Sequence, residues 1–344
     1  MTESISAGSK LHSRWVATAV KTGWLADVLL LGILLTGLFL RFNGLNWGEG
    51  QYLHPDERFL VWVTADLKPV ESLKQYFDTA QSTLNPHNVG HRFFVYGTFP
   101  ILMTRYLSEW VFSASDWEHI LITGRSLSAL FDVMTVLLVF FIGERLSGKR
   151  AGLLASAFSA LTVLQIQQSH FYTTDSFATF FSTLAVYFSI RLATLSVSQT
   201  NTRALWQTWV HPSILINSLA FGAATGLAAA SKIHVVVVAS LLPAVLFWRM
   251  VKQGKNEQFF SPRSLTISLL AGGLSAFILF RLFQPYAFQG PHIWNILPNP
   301  LWVENLRSLL AQTSGDVDFP PALQWARRPV TFSLQNMVLW GLGL

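Results

Sequence analysis

Apolar runs about as long as a bilayer is thick constrain this chain more than any other feature. They lie at about 24–40, 127–143, 151–167, 177–193, 214–231, 234–250 and 264–283, each 17 to 20 residues long. A hydrocarbon core of about 30 Å needs roughly 20 helical residues, and about 17 still suffice. The sequence therefore predicts an all-α polytopic membrane protein with seven complete spans. An eighth run begins near 334, and the sequence stops within it at Leu344. About ten residues cannot cross, so the expectation is the N-terminal part of a longer protein.

Composition agrees. Of the 344 residues, 51% are hydrophobic and 12% charged, against about 25% charged in soluble domains, and the mean hydropathy is +0.40. The net charge of +6 is spread over short clusters between apolar runs, which marks topology and excludes a nucleic-acid patch. There is no cysteine, so disulfides, thiolate metal sites and cysteine nucleophiles are excluded.

The basic clusters set the orientation. Lys10, Arg14 and Lys21 precede the first span. Arg145, Lys149 and Arg150 follow the second, Arg191 and Arg203 the fourth, and Arg249, Lys252, Lys255 and Arg263 the sixth. They alternate as the positive-inside rule requires if the N-terminus is cytoplasmic. The loops 41–126, 168–176, near 232 and 284–333 then face outward. Stretches 57–67 and 70–80 of the long first loop read as interfacial helices. The stretch 93–112 holds Pro100, Arg105 and Glu109 and reads as interfacial or re-entrant.

Polar residues gather on the outer side. His54-Pro55-Asp56-Glu57 follows the first span. Proline suits the first position of a helix and acids suit its first turn; equally, a carboxylate there can serve as a general base. Asp175 lies in the link between the third and fourth spans, where Thr174 or Asp175 can also cap the next helix. Lys232 interrupts the fifth and sixth spans, able to snorkel or to meet a phosphate. Arg281 ends the seventh, where a cation also suits the helix dipole. Arg125 and Asp132, seven apart on one face, read as structural. His87 and His91 have i, i+4 spacing, but Pro86, Asn88 and Gly90 oppose a helix, and no metal site is read.

Five features together resemble the GT-C glycosyltransferases, specifically the protein O-mannosyltransferase and aminoarabinose-transferase-like group (glycosyltransferase family 39-like). They are His54-Pro55-Asp56-Glu57-Arg58 after one span; Gly124-Arg125-Ser126-Leu127-Ser128 leading to Gly143-Glu144-Arg145-Leu146; Thr174-Asp175-Ser176; Gly226-Leu227-Ala228-Ala229-Ala230-Ser231-Lys232; and Pro320-Pro321 through Arg327-Arg328, with Trp340-Gly341-Leu342-Gly343 beyond. The resemblance implies sugar transfer from a polyprenyl-phosphate donor to a protein, lipid or glycan acceptor at the outer face of a bacterial inner membrane. It implies catalytic roles for Asp56, Glu57 and Asp175, Asp56 being the preferred base, and donor-phosphate binding by Lys232 and Arg281. His54, His170, Tyr172 and Tyr286 are further substrate-binding candidates. Some related enzymes need a divalent metal (Mg or Mn) and others do not. Where the family has a Pro-Pro-Leu-Tyr-like stretch, this chain reads Tyr96-Gly97-Thr98-Phe99-Pro100. The competing readings are a transporter or flippase and a non-catalytic assembly subunit.

Overall fold

The computed structural model describes residues 24–196, 209–252, 260–324 and 328–341. Lys10, Arg14, Lys21, Arg203, Lys255, Trp325, Ala326, Arg327, Leu342 and Gly343 lie outside them. The described part is a helical bundle. Six of its helices are long and apolar enough to cross a membrane: α1 (Trp24–Phe42), α5 (Trp117–Ser147), α8 (Thr174–Ala193), α9 (Pro212–Ser231), Ile233–Lys252 and α11 (Pro262–Phe283). The fifth starts as a 3₁₀ stretch, Ile233–Ser240, and continues as α10 (Leu241–Lys252). Between α1 and α5 lie α2 (Pro55–Asp66), α3 (Leu73–Phe77) and α4 (Thr98–Phe112); beyond α11 lies α12 (Pro300–Ser314).

Small residues set the tightest packing. α9 and α11 meet where a Cβ on Gly222 would stand 2.0 Å from the Gly272 carbonyl oxygen, and one on Gly226 would stand 2.3 Å from that of Ala276. This is the small-xxx-small contact by which membrane helices approach closely. α5 turns back within one residue, Gly148, whose φ of +87° suits glycine.

The run expected as one span over 151–167 is two helices, α6 (Lys149–Leu161) and α7 (Val163–Ser169), broken at Thr162. The break leaves carbonyls of the last turn of α6 without helical donors. Arg41 of α1, fully buried, donates to Ala160 O at 2.9 Å and Ser159 O at 3.2 Å. The Thr162 hydroxyl donates to Phe158 O at 2.7 Å. Arg41 also pairs with buried Asp132. The chain still returns the full distance. Ser147 lies 147 − 125 = 22 residues after Arg125 on α5, about 33 Å of rise, and the 21 residues over 149–169 supply about 31 Å.

The outer-loop helices pack onto the bundle. Leu60, Val61 and Val63 of α2, Ile101 and Leu102 of α4, Leu127 and Phe131 of α5, and Phe177 and Phe181 of α8 share one buried cluster. α4 has fifteen residues, seven of them buried, and Arg105 pairs with Glu109 at 3.1 Å.

Candidate active site

α2 begins with His54 as N-cap and Pro55 at its first position. Helical neighbours point about 100° apart, so Asp56 and Glu57 diverge. Glu57 turns inward and is fully buried. Its two oxygens accept from Arg125 Nε and Nη2, both at 2.8 Å, and Oε1 also accepts the Tyr172 N–H at 2.7 Å. Arg125 spends Nη1 on the carbonyls of Leu45 and Trp47 and lies over the Trp47 ring. Glu57 therefore ties α2, α5 and the start of α8 together. A catalytic part for Glu57 was the expectation; these contacts give it a structural one.

Asp56 faces the other way, half-buried. Burial, then the neighbouring charge of Asp56, then that of Asp175, push the Tyr96 phenol well above its ordinary value. Tyr96 stays protonated, with both acids within electrostatic reach.

The backbone after Tyr96 is pinned. Gly97 N–H donates to Ser231 O at 3.0 Å. A Cβ on Gly97 would stand 1.9 Å from Ala230 O, so only glycine permits this approach. Thr98 donates its N–H to the Gln284 side chain, and its hydroxyl bonds to Gln284 and Phe283 O. Tyr96 is thus fixed to the ends of α9 and α11.

α9 ends at Lys232, which is extended (φ −156°, ψ 114°). Its Nζ meets Asp175 Oδ1 at 2.7 Å, and both side chains are partly open to solvent. His234 lies within electrostatic reach of both. Asp175 stands in the first turn of α8, where it complements the dipole. It does not cap: Thr173 is the N-cap, with no side-chain capping bond, and the buried hydroxyls of Thr173 and Thr174 have no partner. The Lys232–Asp175 ion pair thus has Tyr96 and His234 within electrostatic reach, and Tyr96 has Asp56 within the same reach, a polar region built from α2, the 96–98 segment, α8 and the α9 end.

The other candidates are engaged in the fold. Arg281 is buried and donates to the carbonyls of Ile293, Pro285 and His292, between the rings of Phe77 and Phe288. A role on a phosphate was the expectation; these contacts give Arg281 a structural one. Tyr172 and Tyr286 are buried and bond through their hydroxyls to Thr64 and Ser82. His170 sets both ring nitrogens against backbone carbonyls, of Ile166 and Asn43. His54 takes the Glu57 N–H on Nδ1 and packs on Phe171. Arg125 and Asp132 do not pair with each other, because each found its partner on another helix.

Sequence reasoning passed over Tyr96 and His234. The signal for Tyr96 was the sequence Tyr96-Gly97-Thr98 itself: a glycine after an aromatic in a polar loop marks a close backbone approach. Among the described residues no group of three His, Asp or Glu lies close enough to hold a metal ion, and Lys232 already neutralises Asp175.

A family model described as dolichyl-phosphate-mannose-protein mannosyltransferase matches residues 99–296. Asp175, Lys232 and His234 fall inside that stretch; Asp56 and Tyr96 precede it. Among solved structures, the chain is similar to the apo oligosaccharyltransferase of Archaeoglobus fulgidus, with a TM-score of 0.55 and 17% identity. The similarity covers 93% of this chain and 37% of that one, so it speaks for the fold over a little more than a third of the larger protein. No curated protein sequence matches the chain.

Proposed function

The chain belongs to the dolichyl-phosphate-mannose-protein mannosyltransferase family and has the GT-C architecture of a membrane glycosyltransferase; on that premise we propose that it moves a sugar from a polyprenyl-phosphate donor to an acceptor at the extracytoplasmic face. The observation that carries this reading is the convergence of Asp56, Tyr96, Asp175 and Lys232, while the neighbouring Glu57 is consumed by the fold. Orientation has its own support. α5 and α8 run from the level of the cluster to Arg145 and Arg191, and α10 ends on Arg249 and Lys252. The basic ends lie opposite the cluster, as positive-inside sorting requires of an outward-facing site.

In the proposed reaction Asp56 accepts the proton of the acceptor hydroxyl. The acceptor oxygen bonds the anomeric carbon, the bond from that carbon to the phosphate oxygen breaks, and its electron pair leaves with the phosphate. Lys232 stabilises the growing negative charge, aided by the uncapped first turn of α8. Asp175 holds Lys232 in place. No step runs through a metal. A bacterial inner membrane as the setting follows the sequence resemblance.

The test uses the intact protein in vesicles with polyprenyl-phosphate [14C]mannose. Asp56→Asn lowers transfer about 10²- to 10⁴-fold, the usual contribution of a general base, and Lys232→Met also lowers it. Transfer that survives Asp56→Asn within about threefold removes Asp56 as the base. Labelled lipid that crosses the vesicle wall without a new glycosidic bond favours the transporter reading.

A further inference from the structure

Arg281 points to a surface that the proposed reaction does not use. It stands 283 − 281 = 2 residues from the end of α11, a helix long and apolar enough to cross the membrane. It donates Nη2 to His292 O at 2.9 Å and Nε to Ile293 O at 3.1 Å. The chain leaves α11 at Phe283, runs outward, and is then drawn back until residues 292–293 lie within one arginine side chain of the last helical turn.

The loop between is stiff. Gln289 N–H donates to Leu297 O and Asn299 N–H to Ala287 O, both at 2.8 Å, and Phe288 bridges to Pro298 in an antiparallel sense. The Asn295 amide closes onto Gly290 O at 2.7 Å. From this frame Trp294, Ile296 and Leu297 project with 83%, 59% and 64% of their surface uncovered. Three large apolar side chains on a tip of this size are costly in water. Tryptophan is the residue most enriched at the membrane–water interface, a zone about 5–8 Å deep on each side of the hydrocarbon.

We infer that the 288–298 loop is a membrane-interface anchor: Trp294, Ile296 and Leu297 enter the headgroup region beside α11, at a depth fixed by Arg281. The occupant of this apolar tip is the bilayer. The inference is independent of the sugar-transfer reading and holds whichever way the chain is oriented.

The absence of cysteine makes the test direct. Spin labels are placed one at a time at Trp294→Cys and Leu297→Cys, with the free label in buffer as the aqueous reference. The protein is reconstituted in phosphatidylcholine–phosphatidylglycerol vesicles. Collision rates are then measured with oxygen, which concentrates in lipid, and with a water-soluble nickel chelate. The expected result is an oxygen-to-nickel ratio severalfold higher at 294 and 297 than for the free label. A ratio equal to that of the free label places the tip in water and overturns the inference. Labels shielded from both reagents mean that protein covers the tip, and that also overturns it.

Discussion

Glu57→Gln is the change that best separates fold from chemistry in the Asp56-Glu57 pair. Glu57 is fully buried, bidentate to Arg125, and the acceptor for the Tyr172 N–H. Removing one member of a buried ion pair strands the other charge, at a cost of about 3–5 kcal/mol. Glutamine keeps the shape and one acceptor oxygen, so the expected loss is at the low end, about 3 kcal/mol. That lowers the Tm in detergent by several degrees. Asp56→Asn, one residue away and half-buried, changes stability by less than about 1 kcal/mol yet abolishes most transfer. The double variant Glu57→Met with Arg125→Met is less destabilised than Arg125→Met alone, because no charge is left stranded. Thermal unfolding and vesicle transfer are measured on the same preparations. A Glu57→Gln protein with wild-type Tm and no transfer would refute the reasoning, since Glu57 would then belong to the chemistry.

Arg41→Met strands Asp132 and removes the side-chain donor to the carbonyls of Ser159 and Ala160, of which Ser159 O keeps the Thr162 N–H; it should cost at least about 3 kcal/mol and raise hydrogen exchange over 158–169, whereas unchanged exchange there would mean the helix break stands without it. Burial holds the His87 imidazole down at about 4, from an ordinary 6.5. Between these values the unfolded chain takes up a proton that the folded chain refuses, so the stability is full above pH 6.5 and falls as the pH drops toward 4. Allowing for the partial exposure of His87, the loss is about 1–2 kcal/mol. Thermal unfolding at pH 7 and pH 4.5 should show a shallower decline in His87→Asn than in the parent, and equal declines would exclude His87 as the source.

The bundle itself was readable because a hydrocarbon core dictates run length, and runs of about 20 apolar residues have little else to become. The acids were readable as a location but not as roles. Whether Asp56 or Glu57 faces inward depends on how α2 rotates against α5 and α8, and that is fixed by contacts 68 and 115 residues away. The structural role of Arg281 was not legible because its partners are backbone carbonyls of the following loop, which every residue carries and no residue type announces. The interruption at Thr162 was hidden because the apolar pattern passes through it unbroken; only Arg41, some 120 positions earlier, shows that free carbonyls there have donors. The Arg125–Asp132 spacing placed both on one face of α5, yet seven residues are two turns, too far for the two to meet.

The reach of Arg41 also bears on how the chain enters a membrane. α6 and α7, at 13 and 7 residues, extend about 20 Å and 10 Å, so neither crosses by itself, and open carbonyls between them are not tolerated in lipid. The donors that quiet those carbonyls arrive on α1, the first of the described helices. On the reading that 149–169 crosses, the segment settles only against α1, and biogenesis would acquire an order in which the first helix is a template for the return strokes that follow it. A fault at position 41 would be felt at the far end of that return, where α8 starts and Asp175 receives its address.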